Sequence, residues 1–212
     1  MRQQPKSSIL TFPTLAAVAA LVLAGCGSTA SLAPSAGPAA ATTADSQTLD
    51  SGSIAPFATT DCSIAGPPVS SESAPVDGQE FEGIFIQSSD SGAPIVTIPA
   101  TVAPVTDLTT YDLASGKGDQ VKSGSTLTVN YCGIGLASRT LFDSSWVRGE
   151  PATFPLDGLI QGWIDGLPGM AVGGERLLLI PGSLAYGPNP PEGSGIGPDE
   201  TLLFIVQLTE IS

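Results

Sequence analysis

The sequence predicts an α+β fold, in which a mostly antiparallel β-sheet packs against one short α-helix. From Phe81 onward, short apolar runs alternate with turn residues, and glycine or proline separates nearly all of them, as is typical of antiparallel strands. One segment, residues 159–167, instead repeats its apolar residues with a period near 3.6 and is stopped by Pro168. The 25 glycines and 19 prolines of the chain suit turn-rich β-structure together with a flexible segment.

The apolar runs give the predicted strands, which are residues 83–87, 94–98, 127–132, 176–180 and 202–208. In the third run, alternation places Tyr131 on one face with Leu127 and Val129, and Cys132 on the opposite face. We therefore expect Tyr131 to point inward and Cys132 outward. The last run is apolar on both faces, which predicts a central strand covered on one side by the short helix.

The N-terminus predicts export followed by attachment to a lipid. Arg2 and Lys6 give a positive start, and residues 9–23 are almost wholly apolar or small but too short to span a membrane comfortably. The segment ends in Leu-Ala-Gly-Cys, which resembles the lipobox of bacterial lipoproteins. We expect a signal peptide over residues 1–25, lipidation of Cys26, and an extracytoplasmic location at a bacterial cell membrane. The alternative is an ordinary signal peptide with a chance cysteine.

The remainder of the chain divides into a predicted stalk and a predicted folded domain. Residues 26–78 are expected to form a flexible stalk, because their first part is rich in Ser, Ala, Thr, Pro and Gly and shows no apolar period. Residues 79–212 are expected to form the domain. Within it, residues 105–212 are the predicted core, and residues 79–104 are predicted to add extra strands at the edge of its sheet.

Composition excludes several classes of function. The formal net charge is −13, and no cationic face exists to bind nucleic acid phosphates. The chain contains no histidine, which excludes histidine-based triads and acid–base catalysis and most zinc sites. Its three cysteines cannot form a four-thiolate metal site. We expect neither a metal nor a cofactor.

The most specific signal is a series of motifs that runs through residues 105–212, in the order and at the spacing of one known family. These motifs are VNYCG (129–133), LFDSS (141–145), RGEP (148–151), FPL (154–156), LIQGW (159–163), GMAVGG (169–174), IP (180–181), LAYG (184–187) and IGP (196–198). Together they resemble the FKBP-type peptidyl-prolyl cis/trans isomerases. The resemblance covers about half the chain and implies a twisted antiparallel sheet wrapped around one short helix, with an apolar pocket between them.

The resemblance also implies roles for individual residues in that pocket. It assigns catalytic roles to Tyr131, Asp143, Trp163 and Tyr186, and substrate-binding roles to Phe142, Arg148, Phe154, Leu159, Ile160, Ile196 and Phe204. By position, Trp163 would be the floor and Tyr186 would donate its hydroxyl to a substrate carbonyl. Asp143 would face the twisting amide and pair with Arg148. The implied partners are proline-containing exported or unfolded proteins and macrolide ligands.

A site without histidine suits this reaction. Rotation about a peptide bond has a barrier of about 18–20 kcal/mol, because it breaks the partial double bond of the amide. An apolar pocket favours the less dipolar twisted amide, so neither a nucleophile nor a cofactor is required. The alternative is a module of the same fold that binds proline peptides, or acts as a chaperone, without catalysis. Ala152 favours this alternative slightly, because the family usually has a large aromatic residue there and its absence should weaken macrolide binding.

The cysteines predict one disulfide. Once Cys26 carries a lipid, Cys62 and Cys132 remain in an oxidising compartment, and the predicted orientation of Cys132 leaves it open to an N-terminal segment. We therefore predict a Cys62–Cys132 bridge. The alternative is two free, buried thiols.

Overall fold

Two antiparallel sheets make up residues 56–212, which are the part of the chain that a computed structural model describes. The predicted signal peptide, the lipidation site Cys26 and the stalk up to residue 55 lie outside the described residues. Among residues 56–212, no helix is both long enough and apolar enough to cross a bilayer.

The first sheet is built from the N-terminal part of the described chain. Its strands are β1 (Phe57–Asp61), β2 (Val69–Ser71), β3 (Gln79–Phe81), β4 (Ile84–Ser88) and β5 (Pro94–Pro99). They lie in the order β2-β1-β5-β4-β3. Strands β1 and β2 correct the prediction that residues 26–78 form a stalk throughout. Strand β1 buries only the small side chains of Ala58 and Thr60, and its one large apolar residue, Phe57, is half-buried, so it lacks the run of alternating large apolar residues that reveals a strand in sequence.

The second sheet contains the remaining strands, and all its paired neighbours are antiparallel. These strands are β6 (Thr109–Ala114), β7 (Thr126–Gly135), β8 (Leu141–Ser144), β9 (Ala152–Pro155), β10 (Glu175–Ile180) and β11 (Leu202–Ile211). The order is β6-β10-β11-β7-β8, and β9 pairs with the first half of β7. Two short helices complete the fold: α1 (Ser145–Arg148) between β8 and β9, and α2 (Gln161–Gly166) between β9 and β10.

The second sheet is buried on both faces. The helix-side core lies between this sheet and α2, and its buried members are Val121, Leu127, Val129, Tyr131, Leu156, Trp163, Leu167, Met170, Leu178, Ile180, Leu202, Phe204, Val206 and Leu208. The inter-sheet core lies between the two sheets, and its buried members are Cys62, Ile84, Ile86, Ala93, Val96, Ile98, Cys132, Ile134, Leu136, Leu177, Leu179, Leu203 and Ile205. The central strand β11 contributes alternate residues to each core. The prediction that residues 202–208 form a central strand is therefore confirmed.

The extra N-terminal strands cover a face of the second sheet and do not extend its edge. Residues 79–104 were predicted to join the edge, but β3, β4 and β5 belong to the separate first sheet. The physical reason is the apolar outer face of β7, β10 and β11, which would otherwise be exposed to water. A second layer of sheet buries this surface.

A disulfide joins the two sheets. Cys62 follows β1 directly and is bonded to Cys132 on β7, with a Cα–Cα distance of 5.8 Å. Cys132 does face away from Tyr131, but it is fully buried in the inter-sheet core and does not point outward to solvent. Close by, the hydroxyl of Ser144 donates to the carbonyl of Cys62 at 2.6 Å. The first sheet is thus attached to the strand that carries Tyr131.

Helix α2 packs directly against the sheet. It begins after Ile160, whose backbone is extended, so it starts two residues later than the apolar period predicts. A Cβ atom at Gly162 would lie 2.3 Å from Cγ2 of Ile180 on β10. Glycine at this position therefore permits the close packing that brings Trp163 against the sheet.

Candidate active site

An apolar cavity of about 150 Å³ opens beside α2, on the helix-side face of the second sheet. Its lining residues are Tyr131, Phe142, Asp143, Phe154, Leu159, Ile160, Trp163, Tyr186 and Phe204. They come from β7, β8, β9, α2, β11 and the turns before α2 and after β10. The cavity therefore gathers residues from most of the length of the domain, and all but one of its lining residues are apolar or aromatic.

Trp163 forms the centre of an aromatic cluster beneath this cavity. Its ring packs edge-to-face against Phe204, with centroids 5.3 Å apart, and against Tyr131 at 5.7 Å. Phe154 is edge-on to Trp163 at 6.4 Å. Perpendicular contacts of this kind are favourable between aromatic rings and fix their orientations. Trp163 is only 4% exposed, so it can serve as a rigid floor.

Gly133 allows one wall of the cavity to form. A Cβ atom at this position would lie 2.6 Å from Phe142 Cζ and 2.9 Å from Phe204 Cε1. The two rings pack edge-to-face at 5.5 Å, directly over the glycine. The motif VNYCG contains this residue, but the sequence alone does not reveal its steric role, which depends on two distant aromatic side chains.

One polar group of three side chains stands at the edge of the cavity. Asp143 accepts hydrogen bonds from the Tyr131 hydroxyl and from Arg148 Nη1. Arg148 Nη2 also donates to the Tyr131 hydroxyl oxygen at 2.9 Å. The side chains of Arg148 and Asp143 are 42% and 41% exposed, so their ion pair contributes little to stability. Its effect is to hold the Asp143 carboxylate in one orientation at the cavity.

Local structure explains how these three side chains meet. The Ser144 hydroxyl caps α1 by accepting from the backbone amides of Trp146 and Val147, and Gly149 ends this helix with φ of 77°. One helical turn therefore returns Arg148 to Asp143. The buried hydroxyl of Ser145 accepts from the amide of Tyr131 at 2.8 Å and fixes β7 beside α1. The sequence did not single out this serine, which lies next to the polar group.

The hydroxyl of Tyr186, unlike that of Tyr131, is not bonded to the polar group. Among the described residues it has no hydrogen-bond partner, and the side chain stands at the mouth of the cavity, where Tyr186 is 38% exposed. Burial, together with the nearby charge of Asp143, raises its pKa above the ordinary value of 10.0. The hydroxyl therefore stays protonated at neutral pH and is available to donate to a ligand.

The pKa of Tyr131 is raised further, to about 12. Burial is the largest cause, and the hydrogen bond to Asp143 adds to it. Both tyrosines at this site are thus hydrogen-bond donors across the physiological range of pH. The sequence contains no histidine, so no imidazole can act as an acid or a base at this site.

The structure brings together nearly all of the residues that the sequence predicts for the site. Nine of the eleven line the cavity directly. Arg148 is held outside it, through Asp143 and Tyr131. Ile196 is half-buried and packs against the helix-side core without lining the cavity, so its predicted place in the wall is wrong in this structure. Ala152 also packs against that core. The catalytic and binding roles of these residues remain predictions.

Comparison with known proteins adds an independent finding. A family model described as "FKBP-type peptidyl-prolyl cis-trans isomerase" matches residues 117–209. A "Probable FK506-binding protein" of Corynebacterium glutamicum is 45% identical over 116 residues, which cover 54% of this chain and 95% of that protein. The "FK506-binding protein" of Streptomyces anulatus is 41% identical over 110 residues, covering 51% of this chain and 89% of that protein.

A larger relative is matched over a smaller share of its own length. The "FKBP-type peptidyl-prolyl cis-trans isomerase FkpA" of Escherichia coli K12 is 44% identical over 97 residues, which are 46% of this chain and 35% of that protein. Its crystal structure aligns with 60% of this chain and 51% of that chain, with a TM-score of 0.46 and 36% identity.

Proposed function

Because the chain belongs to the FKBP-type peptidyl-prolyl cis-trans isomerase family and is an enzyme of this type, we propose that it accelerates X–Pro isomerisation in exported proteins. The observation that carries this proposal is the aromatic cavity over Trp163, with the oriented Asp143 carboxylate at its edge and the Tyr186 hydroxyl, which has no partner within residues 56–212. Its size and apolar lining suit the ring of a proline residue. Uncatalysed X–Pro exchange takes tens to hundreds of seconds, which makes it a slow step in folding.

In the proposed mechanism, the cavity favours the twisted amide over the planar one. When the C–N bond rotates, its resonance is lost and the carbonyl becomes less dipolar. The rings of Phe142, Phe154 and Phe204 surround this carbonyl with apolar surface that would solvate the planar amide poorly. Each 1.36 kcal/mol of preference for the twisted form gives about tenfold in rate. No bond to carbon is made or broken, so no nucleophile takes part.

Two polar groups would orient the substrate in this mechanism. The Tyr186 hydroxyl donates to a substrate carbonyl, which holds the peptide while the proline ring rests on Trp163. The Asp143 carboxylate faces the rotating amide, held by Tyr131 and Arg148. Fixing the ring in this way restricts motion to the rotation that leads to product.

The exported location in this proposal rests on the N-terminal sequence. The positive start, the apolar run and the Leu-Ala-Gly-Cys ending support cleavage before Cys26 and anchoring to a membrane by lipid on this cysteine. The Cys62–Cys132 disulfide is consistent with an oxidising compartment. In this location the substrates would be unfolded exported chains with proline.

A refolding experiment tests this proposal. The full chain is added to an unfolded secreted protein whose slow folding phase is X–Pro isomerisation. We expect the slow phase to accelerate in proportion to the enzyme concentration, and the Trp163→Ala variant to lose most of this effect. Trp146→Ala is the matched control, because Trp146 packs at the inter-sheet core and does not line the cavity. A slow phase that the wild type leaves unchanged would refute the proposed role.

The second candidate function is a binding module without catalysis. Ala152 favours it, because a small residue here leaves one side of the pocket less enclosed than a large aromatic would. Binding of a proline peptide, with its isomerisation left at the spontaneous rate, would identify this function. Macrolides are candidate ligands of the same pocket, and the same opening would weaken their binding.

A further inference from the structure

A buried carboxylate outside the cavity joins two loops that lead to its walls. Glu200 is only 9% exposed, and its two oxygens have different partners. Oε1 accepts from the backbone amide of Ser138 at 2.8 Å, and Oε2 accepts from the amide of Gly197 at 2.7 Å. We refer to the Glu200 carboxylate and these two amides as the loop clamp.

Each partner in the loop clamp belongs to a segment that is continuous with a wall of the active site. Ser138 lies in the turn between β7 and β8, a few residues before Phe142 and Asp143. Gly197 directly follows Ile196, whose side chain packs against the helix-side core that contains Trp163. The clamp therefore joins the hairpin that carries the catalytic carboxylate to the long loop that follows Tyr186.

Neighbouring hydrogen bonds extend this connection to Tyr186 itself. The amide of Asp199 donates to the carbonyl of Gly187 at 2.8 Å, one residue after Tyr186. The carbonyl of Thr201 accepts from the amide of Leu136 at 2.9 Å, on the hairpin side. Residues 199–201 thus form hydrogen bonds both with the segment that follows Tyr186 and with the β7–β8 hairpin.

The sequence leaves room for the clamp by placing a glycine beside it. A Cβ atom at Gly135 would lie 2.5 Å from Glu200 Oε1 and 2.4 Å from Ser138 Oγ. Any side chain here would push the carboxylate out of its position. Because Gly135 itself contributes nothing to the cavity lining, its substitution disturbs the clamp without touching the reacting groups.

We propose that Glu200 is a positioning residue of the isomerase, whose carboxylate sets the separation between the Asp143 wall and the Tyr186 wall. A carboxylate suits this task because both of its oxygens only accept, and the two amides only donate. Glutamine would accept from one amide and present its NH₂ group to the other. The proposal rests on the pocket described above as the site of reaction, and it goes beyond it by naming a residue that acts through two loops.

The test compares Glu200→Gln, Glu200→Ala and Gly135→Ala with the wild type in the full chain. Glu210→Gln is the matched control, since it removes the same charge from an exposed position near the end of β11, the strand that follows Glu200. Exchange NMR measures the dissociation constant of a proline peptide and its isomerisation rate at saturation, and amide hydrogen exchange is followed at Ser138 and Gly197. These readouts separate positioning from simple loss of folded protein, because unfolding reduces the active fraction without altering the dissociation constant of the rest.

We expect the dissociation constant to rise about threefold for Glu200→Gln and about tenfold for Glu200→Ala, as hydrogen bonds to a charged group are lost. The isomerisation rate at saturating peptide should fall by a smaller factor than the affinity for the peptide does. Gly135→Ala should resemble Glu200→Ala, the two amides should exchange faster in all three variants, and Glu210→Gln should match the wild type. If Glu200→Ala fails to fold, the other two variants carry the test.

An unchanged dissociation constant in Glu200→Gln and Gly135→Ala would overturn the proposal, even if the apparent rate falls with the folded fraction. A different result would bear on the proposed function instead. If the wild type binds the peptide without accelerating isomerisation, catalysis is refuted, whereas the affinities still decide whether the clamp positions the pocket.

Discussion

At the scale of single residues, the pocket contains two tyrosine hydroxyls in opposite situations. That of Tyr131 is bonded to Asp143 and Arg148, whereas that of Tyr186 has no partner among the described residues. The first orients a protein group and the second is available to a substrate. Sequence motifs predicted both residues for the site, but which hydroxyl is free depends on where α1 places Arg148, and that geometry is not visible in the sequence.

Substitutions in the pocket should have graded effects, because no covalent step depends on one residue. Tyr186→Phe removes one hydrogen bond and should cost about 1 kcal/mol, or several-fold in rate. Asp143→Leu should cost somewhat more, because it also removes the acceptor of the hydrogen bonds from the Tyr131 hydroxyl and from Arg148 Nη1. The measurement is the isomerisation rate of a proline peptide. Complete loss of activity in Tyr186→Phe would indicate a chemical role that this mechanism does not contain.

Trp163→Ala should have the largest effect, since it empties the floor of the cavity. Loss of a buried tryptophan should also lower the free energy of unfolding by about 3–5 kcal/mol. Denaturant titration measures this cost, and the isomerisation rate must be corrected for the folded fraction. A variant that keeps wild-type activity per folded molecule would show that the reaction does not occur over Trp163.

The raised pKa values of the tyrosines predict that the folded protein loses stability at high pH. All three, Tyr111, Tyr131 and Tyr186, have raised pKa values in the folded protein, and that of Tyr131 rises from 10.0 to about 12. Above pH 10 the unfolded chain therefore loses protons that the folded chain keeps, so the free energy of unfolding should fall between about pH 10 and pH 12. Tyrosinate absorbance should titrate at higher pH in the native protein than in denaturant. Identical titrations would contradict the buried position of Tyr131.

At the scale of secondary structure elements, the sequence predicts best those strands that bury large apolar side chains. The strongly apolar strands β10 and β11 are confirmed nearly at their predicted bounds. Strands β1 and β2 were missed, because they bury small or few side chains. The sequence shows that β11 needs two apolar partners, but it cannot show that a second sheet, folded from residues 57–99, supplies one of them.

The disulfide should stabilise this arrangement of sheets. It closes a loop of 70 residues, so removing it in a Cys62→Ala, Cys132→Ala double variant should lower the free energy of unfolding by up to about 4 kcal/mol in the chain-entropy model. Intact mass decides whether the bridge is present, since reduction of the wild type should add two hydrogens. No mass change on reduction would mean two free thiols.

At the scale of the whole molecule, the charge and the N-terminus set where the enzyme is expected to work. The domain carries an excess of acidic groups that should keep it away from nucleic acids. The predicted lipid on Cys26 should hold it at a membrane, and the residues between Cys26 and β1 would set its reach. Cys26 and the residues up to 55 lie outside the described residues, and the anchor is inferred from the sequence.

The lipid anchor makes a direct prediction. Wild-type protein expressed in a bacterial host should partition into the detergent phase, with its mature N-terminus at Cys26. Cys26→Ser should release the protein from membranes or block its processing, because the thioether to the lipid cannot form. A wild type that stays in the aqueous phase with a different N-terminus would refute the anchor.

The central claim is that isomerisation occurs by enclosure in the cavity over Trp163, without acid–base catalysis by histidine, which the sequence lacks. The most direct measurement is exchange NMR of a proline peptide with the wild-type chain between about pH 6 and pH 8. In this range the rate of a histidine-dependent enzyme would change with pH. We predict cis/trans exchange well above the spontaneous rate, nearly constant over this range, with contacts between the proline ring and Trp163. A bell-shaped dependence on pH, or a bound peptide that exchanges at the spontaneous rate, would contradict the account.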